Sequence, residues 1–541
     1  MNRRNFLRNS SLTGLSITAL TFAACNETPK EKFTTVSDKP ETDSFELNEA
    51  TIDALQEKMK TGALTSQSIT QAYLDRINKI DKAGPKLNAV IEVNPDAISI
   101  AMAMDAERKS GKVRGPLHGI PVLIKDNIDT GDKMMTTAGA LALTGNIASK
   151  DAFIVAKLRE AGAVLLGKTN LSEWANYRST SSSSGWSSRG GQTKMPYVLD
   201  HNPCGSSSGT GVAVAANLCA VAIGTETDGS ITCPASVNGV VGIKPTVGLL
   251  SRTGIIPISS TQDTAGPLAR TVKDAAIFLG ALAGIDEKDA VTANSKDKAA
   301  TDYTKYLDAN GLKGKRIGVD LKKKSKNQFI NRLLEKNIEI LKAQGASIVD
   351  IEFVDKINEL GSYEGTIFRN EFKAGLNAYL AGTNHKIKTL QDVITFNLQN
   401  EDKAMPYFKQ ELLEASEKSK GLADKDYLEA LAKGRDVSRK IIDDLIATNK
   451  LDAIAGITMG PSCSIDVMYG DRWGDDFLTQ PAAMSGYPHI TVPGGWVYDL
   501  PVGFSFFAGA YKEGELIAIA YAYEQATKNR KVPGFKKAFL D

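Results

Sequence analysis

The sequence predicts an α/β fold in which a mainly parallel β-sheet is covered by helices on both faces. Short apolar segments typical of buried strands alternate with longer segments in which apolar residues recur at helical spacing. Strands that alternate with helices are usually parallel, because the chain crosses back over the sheet between them. No Pro-, Gly- or Ser-rich linker divides residues 46–541, so we expect one large domain there.

The first elements follow from apolar periodicity and from the residues that begin and end helices. Ile52, Leu55 and Met59 share one face of a helix that Gly62 ends, and Thr65 is suited to cap the next helix. The same reasoning predicts a second helix ending before 84–85, a strand over 89–93, a helix over 96–109, a strand over 122–125, a helix over 151–160 and a strand over 163–166.

One stretch imitates a phosphate-binding loop. Residues 162–169 satisfy the pattern GxxxxGK[ST], which binds nucleotides when the residues between the glycines form a loop after a strand. Here those residues, 163–166, are apolar and favour a strand themselves. We therefore expect no nucleotide binding.

Residues 202–234 carry two clusters of small, hydroxyl-bearing residues. The first cluster, 205–209, precedes an Ala/Val segment that predicts a buried helix, and the second, 227–231, follows a predicted strand over 220–223. Glycines beside the serines indicate tight turns or close approach of a ligand. A flexible linker would not be interrupted by apolar core segments. Two serines on such turns predict a nucleophile site.

A nucleophilic serine needs a base, and Lys125 is the preferred candidate. The chain has 4 histidines, and none lies in a familiar triad context, although sequence order cannot exclude one. Lys125 follows the apolar residues 122–124, and burial at the end of a strand would lower its pKa and make it a neutral base. A lone lysine after a strand is more often solvated, so this interpretation depends on the serine clusters.

Three segments together resemble the signature of the amidase signature family of Ser-Ser-Lys hydrolases. They are IPVLIKDN (120–127), CGSSSG (204–209) and GTETDGSITCPA (224–235), and the similarity extends from about Ile52 to the C-terminus. The resemblance implies a large, twisted, mostly parallel mixed β-sheet flanked by helices. It also implies that Lys125 is the base, that Ser206 is a bridging serine after a cis peptide bond, and that Ser230 is the nucleophile.

The resemblance further assigns an oxyanion hole and a branch of the family. The oxyanion would be held by the backbone N–H groups of Thr227, Asp228, Gly229 and Ser230. The version ETDGSI, preceded by NPCGSSSG, departs from the commoner GTDTGGSIR and is similar to the peptide amidase branch.

Three residues are candidates for substrate binding. Asp228 stands where family members often have glycine, so its carboxylate either accepts a hydrogen bond from a primary amide or stabilises the turn. Ser207 is expected either to hydrogen-bond within the relay or to serve as a turn residue. Trp186 lies in a Ser-rich loop, 177–197, that either contacts a peptide substrate or only covers the surface.

These observations predict an amide hydrolase that converts C-terminal primary amides of peptides, or related small amides, to acid and ammonia. No cofactor or metal is expected, and we expect a monomer. With 65 basic and 63 acidic residues the net charge is +2, so we expect no nucleic-acid partner. The alternatives are an amidase for amino-acid, aryl or fatty amides, the family's subunit that supplies ammonia to charged tRNA, or an exported α/β ligand-binding lipoprotein.

The N-terminus predicts export. Residues 1–24 combine a twin-arginine-like Arg3-Arg4 pair with an apolar segment, and Cys25 ends an imperfect lipoprotein cleavage box. Residues 25–45 have the composition of a flexible tether. We therefore predict a bacterial lipoprotein, periplasmic or membrane-anchored, whose only membrane contact is a lipid at Cys25.

The rest of the chain gives fewer functional signals. Residues from about 285 to 450 form a helix-rich insertion with no recognisable chemistry, including a strand-helix-strand unit over 316–319, 331–343 and 347–351. Cys204 and Cys233 flank the two serine clusters, and a disulfide between them is left open. No cysteines have C-x-x-C spacing, so a zinc site is not indicated.

Overall fold

A mixed sheet of 11 strands runs through residues 44–540, the part of the chain that the computed structural model describes. These residues belong to one compact unit, Ser44–Asp541. The strands, including two that form a small separate sheet, are β1 (Val90–Val93), β2 (Pro121–Lys125), β3 (Val164–Thr169), β4 (Trp186–Ser187), β5 (Gly191–Gln192), β6 (Val221–Glu226), β7 (Val241–Lys244), β8 (Thr264–Ala269), β9 (Arg316–Val319), β10 (Ser347–Asp350), β11 (Ala453–Ile457), β12 (His489–Val497) and β13 (Leu500–Phe507).

The large sheet has the strand order β1-β3-β2-β6-β8-β7-β12-β13-β11-β9-β10. Strands β3, β2 and β6 are parallel to one another, and so are β11, β9 and β10. The strands between these two blocks pair antiparallel, as β1 does with β3. The predicted α/β fold with a large mixed sheet is confirmed.

Helices flank the sheet and pack on it through one large apolar core. They are α1 (Ile52–Lys60), α2 (Ser66–Arg76), α3 (Ala97–Lys109), α4 (Phe153–Glu160), α5 (Ser208–Ala215), α6 (Thr232–Val237), α7 (Val272–Leu282), α8 (Gln328–Ala343), α9 (Val354–Asn358), α10 (Gly361–Ala381), α11 (Leu390–Gln399), α12 (Glu401–Ala404), α13 (Glu411–Glu417), α14 (Lys425–Ala430), α15 (Asp436–Asn449), α16 (Gln480–Ser485) and α17 (Glu513–Thr527). Short 3-10 and π segments are Ile77–Lys82, Leu141–Leu143, Glu173–Asn176, Ala290–Ser295, Thr304–Tyr306 and Leu431–Arg435.

The elements predicted over residues 52–166 are all present. Thr65 caps α2 by a reciprocal pair of hydrogen bonds with Ser68, as its position before the helix suggested. Within the stretch 162–169, residues 164–169 form β3, and Lys168 donates to Ile128 O at 2.7 Å, so no phosphate loop exists there. The sequence did not predict that α2 continues as a π-helical turn.

The region 285–450 contributes more than helices. It contains α8 to α15, but β9 and β10 also lie within it and form one edge of the large sheet. Among residues 44–540 no helix is both long and apolar enough to cross a membrane.

Candidate active site

Lys125 ends β2 with its side chain fully buried among oxygen atoms. Its Nζ lies 2.7 Å from Ser206 Oγ, 2.8 Å from Thr225 Oγ1 and 3.2 Å from Thr225 O. Burial holds the pKa of Lys125 well below its usual range, and the negative charges of Asp263 and Glu226 oppose that shift only in part. A neutral amine in contact with a serine hydroxyl can accept its proton.

Ser206 lies in the loop that opens α5, after a cis Gly205–Ser206 peptide bond. Its carbonyl accepts a hydrogen bond from Ser172 N at 3.1 Å. The second glycine of the cluster, Gly209, lies so close to Ala89 O on the neighbouring segment that a Cβ there would collide with it. This glycine therefore lets α5 approach the sheet closely and bring Ser206 to Lys125.

Ser230 lies in the turn that follows β6. Its carbonyl accepts a hydrogen bond from Ser207 N at 3.1 Å, which ties the two serine clusters together. Ser230 is 7% exposed, and its Oγ makes no hydrogen bond to any residue that the structure describes. The structure thus brings the three predicted residues, Lys125, Ser206 and Ser230, into one site.

The turn before Ser230 presents unpaired N–H groups. Within residues 44–540 none of the four predicted oxyanion donors, the N–H groups of Thr227, Asp228, Gly229 and Ser230, donates a hydrogen bond. Gly229 has a φ of 76°, which a residue with a side chain adopts only with strain. Four N–H groups without partners are free to donate to a negatively charged oxygen.

Glu226 closes this turn, a role that the sequence did not reveal. Its Oε2 accepts hydrogen bonds from Ile231 N at 2.7 Å, Thr232 N at 2.9 Å and Thr232 Oγ1 at 3.1 Å. The commoner pattern GTDTGGSIR has Asp and Arg at positions 226 and 232. Here Glu226 and Thr232 replace them together and are hydrogen-bonded to each other.

Asp228 presents one carboxyl oxygen, Oδ1, that is buried and has no hydrogen-bond partner. Burial raises the pKa of Asp228 well above its usual value, and the neighbouring Glu364 and Glu226 carboxyls raise it further, while the nearby Thr479 hydroxyl opposes the shift. Glu364 belongs to α10, in the region to which no chemistry was assigned, and burial raises its pKa as well. Only the tertiary contact identifies it.

The other two predicted substrate-binding residues, Ser207 and Trp186, both make contacts within the protein. Ser207 Oγ donates to Thr225 O at 3.0 Å and accepts from Thr225 N at 3.2 Å, so this buried hydroxyl anchors β6. Trp186 is 6% exposed, with its ring 5.1 Å from Phe408 and under the Arg178 guanidinium. Its loop does reach the site, but the aromatic ring is used in packing.

A cleft of about 380 Å³ opens beside the turn. Asp228 and Gly229 line it on one side, and the serines of the 177–197 loop, such as Ser182 and Ser184, line it on another. A second cavity, of about 220 Å³, lies on the other side of the turn and is lined by Thr225, Thr227 and Asp263. Residues 174–176 all have φ between 54° and 69°, and Ala175 lines the second cavity while Asn176 lines the cleft. Such strain is common at binding sites.

The cysteines and histidines are the remaining candidates for chemistry at the site. Cys204 and Cys233 form a disulfide that joins the two serine clusters, which settles the alternative left open by the sequence.

Each histidine is bound outside the serine site: His118 to Met104 O, His201 to Asp200, His385 to Thr144 O and His489 to Ser505. Within residues 44–540 no group of His, Cys, Asp or Glu side chains is arranged to hold a metal ion.

Fold and site together define an amide hydrolase. The family model described as Amidase matches residues 68–517, so the chain belongs to the amidase signature family, as the sequence motifs indicated. Its members hydrolyse amide C–N bonds, and this protein is therefore an enzyme and not a ligand-binding protein.

Relatives from a plant, a yeast and a bacterium agree with this assignment. A probable amidase of Arabidopsis thaliana is 43% identical over 91% of this chain and 93% of its own length. A putative amidase of Schizosaccharomyces pombe is 39% identical over 94% of this chain and 90% of its own length. The crystal structure of a peptide amidase from Stenotrophomonas maltophilia superposes with a TM-score of 0.86 and 49% identity, over 91% of this chain and 99% of that one.

These relatives overturn the prediction of an exported bacterial lipoprotein. The two curated relatives come from a plant and a yeast, both of which are eukaryotes and not bacteria. The prediction depended on short patterns around Arg3-Arg4 and Cys25, and such patterns often occur by chance. The residues that carried it, 1–43, lie outside those that the structure describes.

Proposed function

We propose that this amidase hydrolyses C-terminal primary amides of peptides to the free acid and ammonia. The observation that carries the proposal is the 2.7 Å contact between buried Lys125 Nζ and Ser206 Oγ, beside Ser230 and its unpaired N–H groups. The likeness to a peptide amidase supports the peptide substrate, and the cleft of about 380 Å³ has room for more than the amide group.

Acylation begins with neutral Lys125. It takes the proton of the Ser206 hydroxyl while Ser206 takes that of Ser230, and Ser230 Oγ forms a bond to the amide carbonyl carbon. The carbonyl oxygen becomes an oxyanion that the N–H groups of residues 227–230 stabilise, at about 3 kcal/mol for each donor. The C–N bond then breaks, the proton returns through Ser206 to the nitrogen, and ammonia leaves.

Deacylation repeats the sequence with water. Lys125 and Ser206 accept a proton from the water molecule, whose oxygen attacks the ester carbon of the acylated Ser230. The ester C–O bond breaks, Ser230 regains its proton and the peptide acid is released. Two easier steps replace one difficult hydrolysis, and both use the same oxyanion site.

Selectivity for a primary amide is assigned to Asp228. Its Oδ1 is buried without a partner, so it is poised to accept a hydrogen bond from the NH₂ group. The carboxyl keeps an acceptor oxygen when it is protonated, as its raised pKa favours. A secondary amide with its added carbon in place of the hydrogen that faces Asp228 would leave the acceptor unpaired and crowd the site.

The test is hydrolysis by the purified protein of four substrate classes: amidated peptides, free amino-acid amides, aryl amides and fatty amides. We expect ammonia release to be fastest from amidated peptides and a fluorophosphonate to label Ser230. A preference for another class would replace the substrate assignment. Labelling at another serine would refute the assignment of Ser230.

The organisation of the chain is part of the same proposal. Residues 46–541 act as one catalytic domain into which 285–450 is inserted, because Glu364 from that insertion lies beside the Asp228 turn. All proposed site residues come from one chain, which is compatible with an active monomer. Size-exclusion chromatography with light scattering tests this point.

A further inference from the structure

The Glu364 carboxylate is held between two amide side chains. Its Oε1 accepts a hydrogen bond from Gln262 Nε2 at 2.8 Å, and its Oε2 accepts one from Gln480 Nε2 at 3.0 Å. Glu364 itself is 7% exposed. A buried carboxylate with both oxygens hydrogen-bonded keeps one position and fixes its two partners.

Each partner of Glu364 is connected to the turn of residues 227–230, which carries the unpaired N–H groups. Gln262 Nε2 also donates to Thr227 O at 3.3 Å, with Gln262 fully buried. Gln480 follows Thr479, whose side chain lies against Gly229. Glu364 therefore restrains the turn from two sides.

Because the peptide group is planar, this restraint also sets the direction in which the Asp228 N–H points. The Thr227–Asp228 peptide bond is trans, so its C=O and N–H point in opposite directions. Gln262 binds the Thr227 carbonyl, and this places the Asp228 N–H on the opposite side, where no residue of the described chain accepts it. In the same way Gly229 O accepts from Cys233 N at 2.7 Å, which turns the Ser230 N–H outward.

We propose that Glu364 is a positioning residue for the oxyanion site: through Gln262 it fixes the Thr227–Asp228 peptide so that the Asp228 N–H faces the developing negative charge. This inference rests on the proposed hydrolysis at Ser230. It gives the helix-rich insertion a part in catalysis, because α10 supplies the residue on which the orientation depends.

The first test is Glu364→Gln. A glutamine at 364 can accept only one of the two amide hydrogen bonds, and its own NH₂ faces the other donor, so the hold on Gln262 weakens. Loss of an oxyanion donor costs about 10²–10³ in kcat, and a misdirected donor is expected to cost about tenfold or more. We expect KM for a peptide amide to change little, because the charge exists only in the transition state.

A peptide aldehyde separates this role from simple stabilisation. Ser230 adds to the aldehyde and forms an adduct with an oxyanion, so Glu364→Gln should weaken aldehyde inhibition by the same factor as kcat. In a Ser230→Ala background, which forms no adduct, the Kd of the peptide amide should change less than about twofold. A merely structural role would weaken both ligands together.

Two further variants complete the experiment. Gln262→Leu should reproduce the loss, and the double variant should be no worse than the poorer single variant, because both act through one chain of contacts. Glu524→Gln is the matched control: its Oε1 accepts Val272 N at 2.8 Å, away from the turn, and kcat should stay unchanged. Should Glu364→Gln fail to fold, Gln262→Leu tests the same link.

The outcomes are distinct. Unchanged kcat and aldehyde affinity in Glu364→Gln and Gln262→Leu would overturn the inference while the proposed function stands. So would losses that multiply in the double variant, or a loss of kcat without a loss of aldehyde affinity. A wild-type protein that releases ammonia from no amide would refute the proposed function first, and this inference with it.

Discussion

Lys125 Nζ and Ser206 Oγ lie 2.7 Å apart although 81 residues separate them in the chain. Strand β2 delivers the lysine at its end, and the loop before α5 delivers the serine. Because burial disfavours the ammonium form of Lys125, this contact places a neutral amine, which can act as a base, beside a hydroxyl.

The first prediction concerns the three residues of the relay. Lys125→Ala and Ser230→Ala should each nearly abolish ammonia release, while Ser206→Ala should leave a trace. Positioned acid–base catalysis contributes about 10²–10⁴-fold, so kcat for Lys125→Ala should fall by at least about a hundredfold. The losses should not add in double variants, since the residues act as one unit.

Lys168 provides the control for that experiment. It is a second fully buried lysine, on the neighbouring strand β3, and it donates to Ile128 O and Thr136 Oγ1. Lys168→Met should lower stability and leave kcat of the folded protein unchanged. If Lys125→Ala retained more than about a tenth of wild-type kcat, Lys125 would not be the general base.

The second prediction is a pH profile. The mechanism needs neutral Lys125, so kcat/KM should fall as the pH drops through the pKa of Lys125. Because burial lowers this pKa from 10.5, activity should persist far below pH 10.5 and should be lost only on the acid side of the lowered value. A profile that falls only above pH 10, or rises toward acid, would contradict a neutral lysine base.

The third prediction concerns Asp228. Wild-type enzyme should prefer a peptide amide over its N-methylamide by a large factor, since sites built around one hydrogen bond can discriminate by about 10⁴. Asp228→Asn keeps an acceptor oxygen and should retain most of this preference, whereas Asp228→Gly should lose it. Unchanged discrimination in Asp228→Gly would assign the preference to the shape of the cleft.

The fourth prediction concerns the disulfide. Cys204 and Cys233 are 29 residues apart in the chain, and closing a loop of that size stabilises a protein by about 3.6 kcal/mol in the chain-entropy account. Cys204→Ser with Cys233→Ser should lower the free energy of unfolding by about that amount in urea titrations. Cys463→Ser, at a free cysteine, should change it little, and equal effects would argue against the disulfide.

The fifth prediction links stability to pH through Asp274. Burial raises the pKa of Asp274 from 3.8 to about 6, so folding favours its protonated form. That stabilisation is complete below pH 3.8 and is lost as the pH rises through about 6. Asp274→Asn cannot ionise, so relative to wild type it should gain up to about 3 kcal/mol between pH 4 and pH 7. A constant difference across this range would contradict the shift.

Several features were predictable because they depend on neighbours in the chain. Thr65 caps α2 through Ser68, and the apolar residues of 122–124 make a buried strand that ends at Lys125. The motifs around Ser206 and Ser230 identified the family, and the fold followed from it. The N-terminal patterns misled, because two arginines and one cysteine are too short a signal.

Trp186 and Ser207 show where the sequence left two interpretations open. An aromatic residue in a Ser-rich loop fits a substrate contact and a packing contact equally well, and only the positions of Arg178 and Phe408 decide between them. The sequence also left the role of the Ser207 hydroxyl open. In the structure this hydroxyl donates to Thr225 O and accepts from Thr225 N.

The sequence by itself determined the alternation of strands and helices and the family, and it singled out the three residues proposed for the relay, because local periodicity and short motifs carry this information. The tertiary structure decided which groups surround them. Glu364 comes from a helix with no motif of its own, yet it lies beside Asp228, and both pKa values rise because the sheet and α10 exclude water there. Burial and the proximity of charges are properties of the packed chain, and they set the chemistry of the site.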